Sequence, residues 1–95
     1  MRVTLKGFIE VPADDLDSVR EHLDTHVQLT RAEPGCVTFN VDQRNDNERI
    51  FDVYEEFVDS AAFTSHQERV KASSWGGITE NVARHYEVFG LQEHE

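Results

Sequence analysis

Cys36-Val37-Thr38-Phe39-Asn40-Val41-Asp42, the polar break Arg44-Asn45-Asp46-Asn47-Glu48, and Ile50-Phe51-Asp52-Val53-Tyr54-Glu55-Glu56-Phe57 form the stretch whose reading decides the fold. Apolar residues recur at every second position on both sides of the break, the period of half-buried strands, and the break carries turn formers. The pattern predicts an antiparallel hairpin. With a pivot near Asp46, Asn40 faces Phe51 and Cys36 faces Glu55. Cys36, Thr38, Asn40, Phe51, Val53, Glu55 and Phe57 then share one face, while Val37, Phe39, Val41, Ile50 and Tyr54 share the other. Both faces carry apolar area, whereas an uncovered sheet face of a monomer is normally polar. A second copy of the chain is therefore expected over the face of Val37, Phe39, Val41, Ile50 and Tyr54, making a homodimer.

Outward from the hairpin, residues 3 to 11 alternate as well, with Val3, Leu5, Ile9 and Val11 on one side and Thr4, Lys6, Phe8 and Glu10 on the other. Gly7 within that strand marks a close backbone approach. Pro12 with Asp14 and Asp15 starts a helix, since carboxylates favour the positive end of the dipole, and Leu16, Val19, Leu23, Val27 and Thr30 follow at helical spacing as far as Glu33-Pro34-Gly35. Asp59-Ser60 caps a second helix with the stripe Ala62, Phe63, His66 and Val70. Ser73-Ser74-Trp75-Gly76-Gly77 breaks it, Val82 to Phe89 reads as a last strand, and residues 90–95 form a charged tail. The order β-α-β-β-α-β, with right-handed crossovers, predicts an α+β ferredoxin-like antiparallel sheet with both helices on one face.

The chain has 95 residues and a net charge of −10, from nine basic and nineteen acidic side chains. One domain spanning 1–95 accounts for that length. The acid excess argues against nucleic acid, whose binding rests on Lys and Arg displacing counterions, and against anionic membrane. No apolar run approaches the ~18 residues of a membrane helix. The single Cys36 forms no internal disulfide, and Arg2 and Lys6 interrupt what would be a secretory signal, so a cytoplasmic location is expected.

Glu33-Pro34-Gly35-Cys36-Val37-Thr38-Phe39-Asn40-Val41, followed by Tyr54-Glu55, Ala61-Ala62-Phe63 and His66, resembles the antibiotic biosynthesis monooxygenase family. The resemblance covers the middle third of the chain and implies a dimeric α+β barrel, two ferredoxin-like sheets packed face to face. It implies oxidation of phenolic or quinol substrates by O₂ without a cofactor. The family also contains haem-degrading proteins, an isomerase of a phosphorylated autoinducer and uncharacterised members. Where the polyketide-oxidising branch has a Trp and an Asn, this chain has Phe57 and Val53, and its first strand lacks the Asn of the haem-degrading branch. Tyr54-Glu55 and His66 resemble the quinol-oxygenase and isomerase side. Isomerisation, or a non-catalytic ligand-binding dimer, stands as the alternative.

Glu55, flanked by Phe51, Val53 and Phe57, is the leading general base, because an apolar setting raises a carboxyl toward neutral pH. His66, on the helix expected over the same face, is the second catalytic candidate, as a proton shuttle. The bland reading makes the first a neutralised core glutamate and the second a core histidine bonded to backbone. His26, Asn40, Phe51, Phe57 and Trp75 are expected to contact a small-molecule substrate. His26 could instead face water, Asn40 would orient a carbonyl through its amide, and Trp75 could instead anchor the second helix segment. Cys36 reads as a packing residue. His22 and His26 lie four apart without a third ligand, and His22, His85 and His94 read as solvated, so no metal site is expected. Nor does a phosphate loop, nucleophile elbow or dinucleotide fingerprint occur, and no cofactor is expected.

Overall fold

The first strand, β1 (Val3–Glu10), sits in the middle of the sheet because its alternation gives it a fully apolar inner side. Val3, Leu5 and Ile9 are buried and face the helices, while Thr4, Lys6, Phe8 and Glu10 turn away. This is a computed structural model, and it describes residues 1–91; the charged tail beyond Leu91, His94 included, lies outside the described residues. Next come α1 (Leu16–Arg31), β2 (Cys36–Gln43), β3 (Ile50–Phe57), α2 (Ser60–Ala72), α3 (Ser74–Ile78) and β4 (Ala83–Phe89). The sheet order is β2-β3-β1-β4, every pair antiparallel, with the helices on one face. That is the ferredoxin-like α+β plan anticipated from the element order.

Helix α1 buries Leu16, Val19, His26, Val27 and Thr30, one stripe of its surface. Asp59 caps α2 by accepting the Ala62 backbone N–H at 2.8 Å. Ser73 then does two things in extended conformation: its hydroxyl donates to the Val70 carbonyl at 2.7 Å, closing α2, and accepts the Gly76 N–H, opening α3. The Ser73–Gly77 stretch is thus not a simple break, since only Ser73 leaves the helix and the following turn carries Trp75 inward. Gly7 has a φ of 155°, and a Cβ there would overlap the carbonyl of His85 on β4. The close approach expected at this glycine is that of β1 to β4.

The hairpin register departs from the expected one. Asn40 pairs with Tyr54 and Gln43 with Phe51, and a β-bulge lies between Cys36 and Thr38. A bulge sets two residues of one strand against one of the other and so reverses the faces beyond it. Phe39, 3% exposed, and Val41 consequently pack into the helix side beside Glu55 and Val53, and Asn40 turns outward with Tyr54. Phe39 and Val41 therefore do not belong to the helix-free face assigned to them. Ile50 and Tyr54 do lie there, opposite Glu10 and Lys6, and Val37 is exposed at the bulge. That outer face carries Phe8 stacked on His85 at 4.6 Å, Lys6 over the Phe89 ring, and Tyr54.

Candidate active site

Strand β3 sends every second side chain, Phe51, Val53, Glu55 and Phe57, into the layer beneath the helices. Three of these are apolar and the fourth is a carboxyl group only 6% exposed. Its Oε1 has no hydrogen-bond partner. Desolvation, with a smaller contribution from the negative charge of Glu33, raises the Glu55 pKa from 4.5 to about 7.

From above, α2 lowers His66 onto the same place. Its ring lies 4.8 Å from that of Phe57 and 5.7 Å from Phe39. Nδ1 is 3.0 Å from Glu33 Oε2, and that same oxygen accepts from Arg69 Nε at 2.6 Å. Arg69 in turn donates to Thr30 Oγ1 at 2.9 Å. A carboxylate bonded to a guanidinium is ionised and only accepts, so His66 carries its proton on Nδ1. The opposite nitrogen, Nε2, is left with a lone pair directed to the Glu55 side, 3.8 Å from Oε1. That separation is too long for a hydrogen bond, and a third polar atom could bridge the two only from the cavity side, off the line that joins them. Burial lowers the His66 pKa and the bond to Glu33 works against it, so the imidazole is neutral near pH 7.

A third buried ring completes the polar cluster. His26 on α1 stacks on Trp75 at 4.5 Å and 6°, stands edge-on to Phe39, and lies 6.3 Å from His66. Burial first, then the nearby His66 and Arg69, bring its pKa down to about 3, and its Nδ1 has no partner. It is a neutral hydrogen-bonding group throughout the physiological range.

These groups line a cavity of about 290 Å³ between sheet and helices, walled by Leu5, Ile9, Phe63, Val70, Trp75 and Val88. Its size is at the lower end of small-molecule sites, about 300 Å³ and upward. β4 supplies Arg84 and Tyr86 to the wall. Burial, then the charge of Glu55, push the Tyr86 phenol up to about 12, which keeps it a neutral donor. A wider surface cleft of about 440 Å³ shares Gln67, Val70 and Arg84 with the cavity, and its other lining residues include no buried titratable group.

Of the residues singled out in the sequence, the fold brings Glu55, His66, His26 and Trp75 to this cavity. Asn40 is on the opposite side of the sheet, bonded to Arg31 at 3.0 Å, because of the bulge. Phe51 and Phe57 are 1% and 0% exposed and belong to the core below the cavity rather than to its lining. Burial and the negative charges of Glu33 and Glu55 push the Cys36 thiol up, consistent with packing rather than nucleophilic duty. No group of three potential metal ligands occurs among the described residues. Sequence reasoning gave no role to Glu33, Arg69, Arg84 or Tyr86. Glu33 lay within the quoted Glu-Pro-Gly motif, but nothing local linked it to a histidine 33 positions later.

The sequence profile of the antibiotic biosynthesis monooxygenase family matches residues 2–75. No curated protein matches the chain. Solved structures similar in fold include a conserved protein of unknown function from Bacteroides thetaiotaomicron, with a TM-score of 0.79, 15% identity, and coverage of 95% of this chain and 97% of that one. An antibiotic biosynthesis monooxygenase candidate from Nitrosomonas europaea has a TM-score of 0.75 at 21% identity, covering 94% and 88%. A second such candidate, from Deinococcus radiodurans, has a TM-score of 0.71 at 18% identity, covering 100% and 96%. At these identities the structures show a shared fold alone. The profile match, spanning most of the chain, places this protein in the antibiotic biosynthesis monooxygenase family.

Proposed function

We propose that the Glu55–His66 cavity binds a small phenol or quinol, removes its hydroxyl proton and lets the resulting anion react with O₂. One observation carries the reading: a buried carboxyl and a neutral imidazole nitrogen face each other at 3.8 Å inside an apolar cavity, with the imidazole locked in one tautomer by Glu33. A substrate hydroxyl set against both from the cavity side donates to His66 Nε2 and accepts from protonated Glu55. His66 takes the proton, and the imidazolium is stabilised by the ionised Glu33 on its other side. The apolar walls keep water from the electron-rich ring.

The anion then gives an electron to O₂ and the two radicals combine, forming a carbon–oxygen bond at a ring carbon that bears hydrogen, para to the oxide in a simple phenol and ortho to it in a para-quinol. Glu55 protonates the peroxide. Loss of the hydrogen from that carbon and cleavage of the O–O bond leave a carbonyl and water. Phenol plus O₂ thus yields quinone plus water, and a para-quinol plus O₂ yields a hydroxyquinone plus water, one atom of O₂ going to each product. The active form on this reading is a homodimer joined through the outer sheet face, supported by the exposed Tyr54 and Phe89 there.

Oxygen uptake with a panel of quinols tests the reaction. Wild-type protein consumes one O₂ per product, and His66→Ala or Glu55→Gln reduces turnover by about 10²-fold or more. Full turnover in both variants contradicts the mechanism, and turnover of an oxygenated substrate without O₂ uptake assigns the same pair to isomerisation.

A further inference from the structure

Among the described residues Arg84 is the one Lys or Arg side chain lining the cavity, in a chain whose net charge is −10. Arg69, the arginine next to His66, has an acidic partner and holds Glu33. Arg84 does not. Among the described residues no ion pair engages it, and its guanidinium is instead steadied by the segment between α3 and β4, Nη2 to the Thr79 carbonyl at 3.2 Å and hydroxyl at 3.1 Å, Nη1 to the Val82 carbonyl at 3.2 Å, and by a side-chain hydrogen bond with Tyr86. Thr79 itself is fixed, 1% exposed, with its hydroxyl donating to the Trp75 carbonyl at 2.7 Å. The result is a positioned, solvent-accessible positive charge at the rim of a cavity that holds two unpartnered buried polar atoms, Glu55 Oε1 and His26 Nδ1.

We infer that the substrate of this cavity is a carboxylated phenol or quinol, its hydroxyl seated against Glu55 and His66 and its carboxylate on the guanidinium of Arg84. This rests on the reading of the cavity as the substrate site and adds a substrate class to it. The guanidinium N–H groups not committed to Thr79, Val82 and Tyr86 are directional, charge-assisted donors for a carboxylate. A single guanidinium also balances a single negative charge, whereas a phosphate dianion beside Glu55 in so acidic a chain would call for further cations. The aromatic body lies between Trp75 and the aliphatic wall of Val70 and Leu5.

Binding measured by calorimetry in oxygen-free buffer tests this independently of turnover. The probes are 2,5-dihydroxybenzoate, hydroquinone and 4-hydroxyphenyl phosphate, and the proteins are wild type, Arg84→Gln and Arg84→Lys. Wild type is expected to favour the carboxylated compound over hydroquinone by about tenfold, the scale of one charge-assisted contact. Arg84→Gln brings that ratio to about one, and Arg84→Lys, which keeps the charge and loses the planar set of donors, falls between. An equal ratio in wild type, an unchanged ratio in Arg84→Gln, failure of the carboxylated compound to bind at millimolar concentration, or preference for the phosphate overturns the assignment. Carboxylate-dependent binding without O₂ uptake from any quinol sinks the oxygenase reading and leaves this one standing.

Discussion

Replacing Glu55 by Gln should stabilise the protein and do so increasingly as pH rises. In the unfolded chain this carboxyl ionises at 4.5, and in the fold only at about 7. Between those values the folded state holds a proton that the unfolded state has released, so stability falls with increasing pH, at about 1.4 kcal/mol per pH unit. Below pH 4.5 both states are protonated and the penalty vanishes; above pH 7 both are ionised and it is complete, at about 3 kcal/mol. Glutamine approximates the neutral acid in shape and hydrogen bonding and does not titrate. The stability gained by Glu55→Gln is therefore about 1 kcal/mol at pH 5 and about 3 kcal/mol at pH 8. His26 and His66, whose lowered pKa values make the fold lose stability as pH falls below 6.5, contribute to both proteins and largely cancel in the difference. Urea unfolding of both proteins at the two pH values reads the gap directly, and at pH 8 it corresponds to a rise in Tm of roughly 10 °C or more. A gap that is the same at pH 5 and pH 8 would refute a raised Glu55 pKa. The same substitution should abolish turnover, so gain of stability and loss of activity are expected together.

Glu33→Gln removes the anion that holds the His66 proton on Nδ1 and lifts its pKa. The acid limb of the rate profile should move to lower pH and kcat should fall about tenfold or more, read from O₂ uptake across pH; an unmoved limb contradicts the anchoring role. Gly7→Ala places a methyl group against the His85 carbonyl and should cost at least about 2 kcal/mol by urea unfolding, a neutral effect disproving the close β1–β4 approach. Asp59→Ala removes the α2 cap and should cost about 1 kcal/mol in the same assay, with no loss if the cap bond is absent in solution.

Where side-chain spacing is regular, the sequence was sufficient to place elements. β1 reads correctly because no irregularity interrupts its alternation, and α2 because Asp59 caps a stripe that then runs at helical spacing to Val70. The hairpin reads correctly as a pair of strands and wrongly in register. One bulged residue near Val37 conserves the alternation inside β2 while exchanging its faces, and nothing in the local pattern marks it. That single irregularity moved Phe39 and Val41 into the core and carried Asn40 away from the cavity. Glu55 and His66 were legible as polar residues on otherwise apolar stripes. Glu33 and Arg84 were not, because an acid in a loop and a base on an edge strand look like ordinary solvated charges until tertiary contacts set one on an imidazole and the other at a cavity rim.

Long-range ¹H–¹⁵N correlation spectra of the imidazole rings near pH 7 test the central claim most directly. The account predicts that His66 is neutral, protonated on Nδ1, with a bare Nε2 that shifts when Glu55 titrates close to neutral pH. A His66 protonated on Nε2, or one indifferent to pH between 6 and 8, would contradict it.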